Sequence, residues 1–504
     1  MLLVIAGALA LRVPHLDQRP LHNDEAVNAV KVTELWQEAR YVYDPDEYHG
    51  PTLHYATLPF LWLSGAANPG ELPDATLRFA PVLFGIGLIL LLPFLSDGLG
   101  RHAVAWAALL TAVSPAMVFY SRYFIHEMLL VFFTMFALVS GWRWTQTGQA
   151  RWAARAGAGL GLMFATKETF VLTLAAMVLA GTLTFLSTHR KLRMPTRRNW
   201  QHLGLAVGAA GLVWFTFFTS FFTNFGGLAD SVRTYLPWLK RAGGASPHIH
   251  EWSFYLQRLA WFHPVKGPVW TEALILVLAA IGIVVSFAGK PSPLHRFLAL
   301  YTMFLTVIYS VISYKTPWCL LSFFHGMILL AGIGAAASVE FFRARAARAV
   351  VLTLLLGMTI QLSWQSRSAS LEYASDRRNP YVYAQTVPDI LNLVRTAEGV
   401  AGVAPDRFAT VLKVVAPNSD YWPLPWYFRR FENVGWYETL PDDPFSPLMA
   451  VSTKLEARLD DRSERKWLMV GISEMRPDTF FELYVELELW KKYVETLPPI
   501  TDDD

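Results

Sequence analysis

Residues 76–96 read TLRFAPVLFGIGLILLLPFLS, and Arg78 is the one charged side chain in a run long enough to cross the hydrocarbon core of a bilayer. The pattern recurs. Apolar runs cover 102–119, 126–142, 153–165, 169–187, 203–222, 269–288, 297–313, 318–338 and 349–363. Together with the short apolar anchor Met1–Leu11, they predict about eleven transmembrane helices. No small-residue cleavage site follows the anchor, and no Lys or Arg flanks its start, so that helix is short or the true start lies upstream.

Composition places the whole chain in the same class. Of 504 residues 53% are hydrophobic and 16% charged, and mean hydropathy is +0.31, values of a membrane protein. The net charge of +3 is small and dispersed, which excludes a nucleic-acid partner. The only cysteine, Cys319, lies in an apolar run, so no intrachain disulfide and no thiolate metal cluster can form.

Basic residues orient the spans. Arg101, then Arg143, Arg151 and Arg155, then Arg190, Lys191, Arg193, Arg197 and Arg198, then Lys290 and Arg296, then Arg343, Arg345 and Arg348 occupy alternate loops, which the positive-inside rule puts in the cytoplasm. The remaining loops, 13–75 and 223–268, face outward with the turns near 122, 167 and 313–317. Leu53–Ala66 is apolar, aromatic and proline-broken, and reads as an interfacial helix. Past residue 363 the long apolar runs stop. Short β-type runs at 408–416, 448–453 and 467–473, with a helical pattern at 387–397, predict a soluble α/β or α+β domain over 364–504. An odd span count makes that domain extracytoplasmic, at the surface of a multi-pass plasma-membrane protein whose transmembrane domain covers 1–363.

Chemistry-bearing residues gather on the outward loops. His22-Asn23-Asp24-Glu25-Ala26 sets two adjacent carboxylates, Asp24 and Glu25, beside the first apolar segment, where charge is costly unless it has a task. Arg122, His126 and Glu127 stand in SRYFIHEM, Lys167 and Glu168 in ATKET, and Lys315 in SYKTPW. Arg and Lys at helix ends often only snorkel to headgroups, and Glu168 could pair with Lys167. Carboxylates and cations on one face are also what an enzyme needs to activate a hydroxyl and stabilise a departing phosphate. His22, Asp24, His49, His54, His126 and Glu127 could converge on a divalent ion, but their spacing has no diagnostic ligand pattern, and no cofactor is firmly implied. In the C-terminal domain, Trp422 and Trp426 stand in an aromatic, proline-rich stretch beside Arg429 and Arg430, suited to stacking on a sugar or to packing at the membrane edge. Its two prolines favour a fixed extended loop over a central strand.

The order of HNDEA (22–26), EYHGPTLHYATLPF (47–60), SRYFIHEMLLVFF (121–133), GLMFATKET (161–169) and SYKTPW (313–318) resembles the polytopic GT-C glycosyltransferases, in particular their protein O-mannosyltransferase and aminoarabinose-transferase branch. SDYWPLPWYFRRF (419–431) and EMRPDTFFELYVELELW (474–490) bring the chain nearest to the Agl23-type, flippase-activity-associated proteins. The resemblance implies a GT-C fold and inverting transfer of a sugar, in hexosyltransferase fashion, from a polyprenyl-phosphate donor such as dolichyl phosphate to a glycan, lipid or protein hydroxyl. It implies Asp24 as general base and Glu25 as its neighbour in positioning. Lys315, with Arg122 and Lys167, would take the lipid phosphate. In the aminoarabinose-transferase branch the segment matching Tyr48-His49-Gly50-Pro51 is Lys-Pro-Pro, so a cation there is weakened. His49, His126 and Glu127 are accordingly expected to position substrate, as are Trp422 and Trp426. The alternative is a lipid-linked-sugar translocation component without transfer chemistry.

Overall fold

The computed structural model describes residues 1–188, 196–242, 248–289 and 292–498. Arg190, Lys191, Arg193 and Lys290 of the basic loops lie outside the described residues. The rest is mostly helical, with a small sheet near the C-terminus. Contacts divide the chain into two compact units: one comprises Met1–Leu16, Glu34–Leu63 and Ala75–Tyr383, and the other comprises Asp17–Thr33, Ser64–Asp74 and everything from Ala384 onward.

The apolar runs form helices in the first unit, the run 102–119 forming two, and the loop 13–75 adds two more. They are α1 (Leu2–Arg12), α2 (Asn23–Glu38, divided between the units), α3 (Thr52–Leu63), α4 (Asp74–Leu91), α5 (Arg101–Val113), α6 (Pro115–Ser121), α7 (Glu127–Thr147), α8 (Ala150–Phe164), α9 (Phe170–Thr188), α10 (Arg197–Phe218), α11 (Ala273–Phe287), α12 (Pro293–Val311), α13 (Leu321–Phe341) and α14 (Arg345–Ser370). Among the described residues, seven helical stretches are long and apolar enough to cross a membrane. The α5–α6 pair, bent by 57°, makes up to eight. Leu2–Arg12 and Ala273–Phe287 are apolar but shorter. By length and composition, seven or eight spans meet that test, where hydropathy marks about eleven apolar runs. The stretch Pro317–Phe341 is central, with 89% of its apolar window buried, whereas that of Arg197–Phe218 is 6% buried and turns its side chains outward. Gly282 of α11 and Gly334 of α13 let the two backbones touch, since a Cβ at either would strike a carbonyl of the other helix. The interfacial stretch forms α3, which runs through Pro59 and leaves Trp62 and Leu63 exposed at its end.

The α5–α6 bend follows from Pro115, which has no N–H to continue the ladder. The groups it frees are all satisfied by buried polar side chains. Arg12 donates to the carbonyls of Thr111 and Ala112, each at 2.8 Å. Ser366 Oγ donates to Val113 O. Glu272 accepts from the Ala116 N–H at 2.9 Å, from Ser114 Oγ at 2.6 Å and from Tyr381 OH at 2.6 Å. Buried charge here repairs a helix break, as a water-free interior requires.

The second unit carries a five-stranded mixed sheet in the order β2-β1-β3-β5-β4. β1 (Leu412–Val415) runs parallel to β2 (Val434–Tyr437) and to β3 (Leu448–Ser452), with Leu412 opposite both Val434 and Leu448. β5 (Thr479–Glu486) pairs antiparallel with β3 and with β4 (Trp467–Arg476). Every residue of the central β3 is buried, which explains its unbroken apolar run. α15 (Ile390–Val403) is the helix expected near 387–397. The expected extended loop at 421–427 is instead a short helix, Leu424–Tyr427, after a cis Trp422–Pro423 bond, because Pro425 falls in its first turn, where its missing N–H costs nothing.

Candidate functional site

In the second unit, the two adjacent acids have opposite environments. Asn23 opens α2, and the Glu25 carboxylate reaches back to accept the His22 N–H at 3.0 Å, half of a capping box. Glu25 is fully buried and takes Arg19 Nη2 on both oxygens at 3.0 Å. Gln385 holds the same strap through Pro20 O at 3.1 Å, and Tyr427 OH accepts the Leu21 N–H at 2.7 Å. The Asp24 N–H donates to His22 Nδ1 at 3.0 Å, which puts the proton of the neutral imidazole on Nε2. The Asp24 carboxylate lies 3.8 Å from His22 Nδ1 and is 48% exposed. Burial lowers His22 below its ordinary value, against the pull of Asp24 and Glu25. One acid closes the helix start; the other is half-exposed to solvent.

In the first unit, residues 49–52 are laced to 165–168. Gly50 and Thr52 donate their N–H groups to Thr166 O and Ala165 O, each at 3.1 Å, and Thr52 Oγ1 donates to Thr166 Oγ1 at 2.7 Å. Only glycine fits at position 50, because a Cβ would meet the Ala165 carbonyl. This brings His49 Nδ1 within 2.9 Å of Glu168 Oε2 and His126 Nε2 within 3.0 Å of Gly50 O. Rings of His49 and His54 lie 5.2 and 5.5 Å from that of His126. His126 is buried and its Nδ1 has no hydrogen-bond partner among the described residues. Burial would raise Glu168, but the charge and hydrogen bond of His49, with Lys167, bring it down to about 2. Lys167 pairs with Glu127, both buried. Burial alone would lower the Lys167 ammonium; Glu127 outweighs it and raises it above its ordinary value.

The three cations expected at phosphate differ just as sharply. Arg122 donates to the carbonyls of Arg12, Pro14 and His15 at 2.8, 2.7 and 2.9 Å, closing the end of α1. Lys167 is held by its carboxylate. Lys315, nearly buried, donates only to the carbonyls of His250 and Ile312 and has no ion pair among the described residues. Around it stand His248 and His250, both hydrogen-bonded to Tyr383 OH, at 2.7 and 3.3 Å. Arg258 lies 3.6 Å over the Phe254 ring, with its Nε buried and without a hydrogen-bond partner among the described residues. Burial, then the positive charge of Arg258, His248 and Lys315, lower His250 below its ordinary value. This is a cationic cluster with no carboxylate in it among these contacts, a setting for an anion. Arg258 is absent from the sequence-derived set. Its signal is local: Phe254 precedes it by four residues, one turn of the helix Phe254–Ala260, so the guanidinium stacks on that aromatic face.

Trp426 is fully buried, its Nε1 donating to Asp74 Oδ1 at 2.7 Å and its ring under Arg429. That ring has no face left for a sugar. Trp422 is half-buried, its carbonyl accepting Arg476 Nη1 at 2.9 Å. Among the described residues no group of three or more His, Cys, Asp or Glu side chains is arranged to hold a metal ion. His126 Nε2 is turned to Gly50 O and His49 Nδ1 to Glu168.

A family model described as dolichyl-phosphate-mannose-protein mannosyltransferase matches residues 69–216. No curated protein matches the chain. Among solved structures, ArnT from Cupriavidus metallidurans bound to undecaprenyl phosphate superposes with a TM-score of 0.67 at 14% identity, covering 96% of this chain and 97% of that one. The apo ArnT structure gives 0.66 over the same shares at 14% identity. The arabinofuranosyltransferase AftD from Mycobacteria gives 0.52 at 15% identity, covering 96% of this chain and 39% of that one. The fold is therefore ArnT-like, of the GT-C type that the motif order implies, and the chain is a multi-pass membrane protein.

Proposed function

We propose that the chain is an integral-membrane glycosyltransferase that moves a sugar, by the family resemblance a hexose, from a polyprenyl-phosphate donor to an acceptor hydroxyl on the extracytoplasmic face, with inversion. The observation that carries this reading is the division of labour between adjacent acids: Glu25 is buried on Arg19, whereas Asp24 is exposed and its backbone is fixed by His22. A general base must reach the proton it removes, and Asp24 is the acid free to do so. The ArnT-like fold, seen in that protein with undecaprenyl phosphate, supports a polyprenyl-phosphate donor.

The chemistry asks little of the protein beyond charge and alignment, since the lipid phosphate is already a fair leaving group. The acceptor oxygen forms a bond to the anomeric carbon as the bond to the lipid phosphate oxygen breaks, and the hydroxyl proton passes to Asp24. Lys315 and Arg258 supply positive charge to the departing phosphate, while Arg122 and Lys167 act on it only indirectly, being engaged with backbone carbonyls and with Glu127. His49, oriented by Glu168, and Trp422 position the substrates. The test is chemical turnover: purified chain in detergent, given radiolabelled polyprenyl-phosphate sugars, releases polyprenyl phosphate. Lipid movement across reconstituted vesicles with no such release would replace this reading by a translocation role.

A further inference from the structure

Where α5, α13 and α14 come together in the first unit, they leave a crevice of about 370 Å³. Its walls are apolar, with Trp106 from α5, Val339 from α13 and Leu352 from α14, and its rim is polar, with His102, Glu340 and Arg348. At roughly 30 Å³ per water, the volume is about a dozen waters, far more than one ion needs and suited to a length of chain. His102 Nδ1 lies 3.3 Å from Glu340 Oε1, so the single rim carboxylate already has a partner. Arg348 Nε donates to Phe342 O at 2.6 Å, which fixes the guanidinium and leaves its two terminal nitrogens without a protein hydrogen bond among the described residues. Arg348 is the one arginine that lines the crevice, and Arg101 at the start of α5, Arg345 at the start of α14 and Arg343 in the link before it add basic residues to the helix ends nearby in sequence. Phe341 and Phe342 are exposed beside them, as aromatic side chains are at a membrane interface.

We propose that this crevice binds one anionic phospholipid of the surrounding membrane, with its phosphate on Arg348 and an acyl chain against Trp106, Val339 and Leu352. An apolar slot between spanning helices, capped by Arg348, matches a lipid with a negative headgroup better than a neutral one. The site uses none of the residues assigned to sugar transfer and stands whether or not that transfer occurs.

The experiment is native mass spectrometry of the delipidated full chain titrated with phosphatidylglycerol or phosphatidylcholine of the same acyl chains. The wild-type chain retains one phosphatidylglycerol with an affinity about tenfold above that for phosphatidylcholine, whose choline cation offsets the phosphate that both lipids would present to Arg348 and is repelled by the basic rim. Arg348→Gln brings phosphatidylglycerol down to the phosphatidylcholine level. Ala105→Trp, on the exposed face of α5 at the crevice, blocks both lipids, and circular dichroism verifies that each variant folds. Equal retention of the two lipids by wild type, or unchanged preference in Arg348→Gln, overturns the proposal. So does full competition by glycerol phosphate, which has a headgroup but no chain.

Discussion

Breaking the Lys167–Glu127 pair one side at a time separates a structural ion pair from a phosphate ligand. Both groups are buried, at 6% and 3% exposure, so Lys167→Met leaves a carboxylate in the helix bundle with no counter-charge. Removing one partner of such a pair costs about 3–5 kcal/mol, whereas replacing both by neutral groups of similar size is near neutral. Lys167→Met and Glu127→Gln should therefore each lower the folded-to-unfolded ratio by about 10²-fold or more, and the double variant should regain most of the loss. The assay is a thermal unfolding scan of the four proteins in one detergent, paired with donor hydrolysis at a temperature where all four are folded. The expected result is a coupling of several kcal/mol in stability with donor hydrolysis retained in the double variant. Additive stability losses would refute the buried-pair account, and a stable double variant that cannot handle donor would return Lys167 to the phosphate.

Arg122→Ala should destabilise by about 2–5 kcal/mol, because three carbonyls at the end of α1 lose their donor, and Arg122→Lys should recover only part, since an ammonium lacks the planar fork; thermal scans measure both. Burial keeps His22 neutral in the fold, so its contribution to stability is complete above about pH 6.5 and is lost as pH falls and the unfolded chain takes up the proton. Wild type should lose stability between roughly pH 7 and pH 5, and His22→Gln should flatten that part of the profile; an unchanged profile would remove His22 as the cause. Lys315→Ala should weaken donor binding by about 10- to 100-fold per folded molecule, the size of one or two charge-assisted contacts, and Arg258→Gln should act in the same direction. Normal donor affinity in both variants would move the phosphate elsewhere.

Much of the helical architecture is visible in hydropathy, because a bilayer forces helices on any apolar run that enters it. Where the helices stop and bend is not, since Leu2–Arg12 and Ala273–Phe287 are short and Ser114-Pro115 breaks one run into two helices. β3 shows as an apolar run, whereas β2 and β5 are strands that their neighbours complete. β2 is only half-buried, and the Glu482 and Glu486 of β5 break its pattern. At the candidate site, residue type points to acids and cations but cannot say which are already engaged. Glu25 and Asp24 are adjacent in sequence, and only the position of Arg19 and the helix start separates them. Likewise Arg122 and Lys315 both stand at span boundaries; the carbonyls of a distant α1 claim the first. Arg258 and the Tyr383-linked histidines come together through contacts over 130 residues of chain, which spacing does not reveal.

The most direct measurement is donor binding and single-turnover transfer on Asp24→Asn, with Glu25→Gln as its neighbour control. Asparagine keeps the size and hydrogen bonding of aspartate but cannot take the proton, so turnover should fall by about 10²-fold or more while donor affinity stays within about twofold of wild type. Glu25→Gln should instead lower stability, by leaving Arg19 buried and uncompensated, and should retain turnover per folded molecule. Asp24→Asn with wild-type turnover and undiminished binding would contradict the account and pass the role of base to another acid.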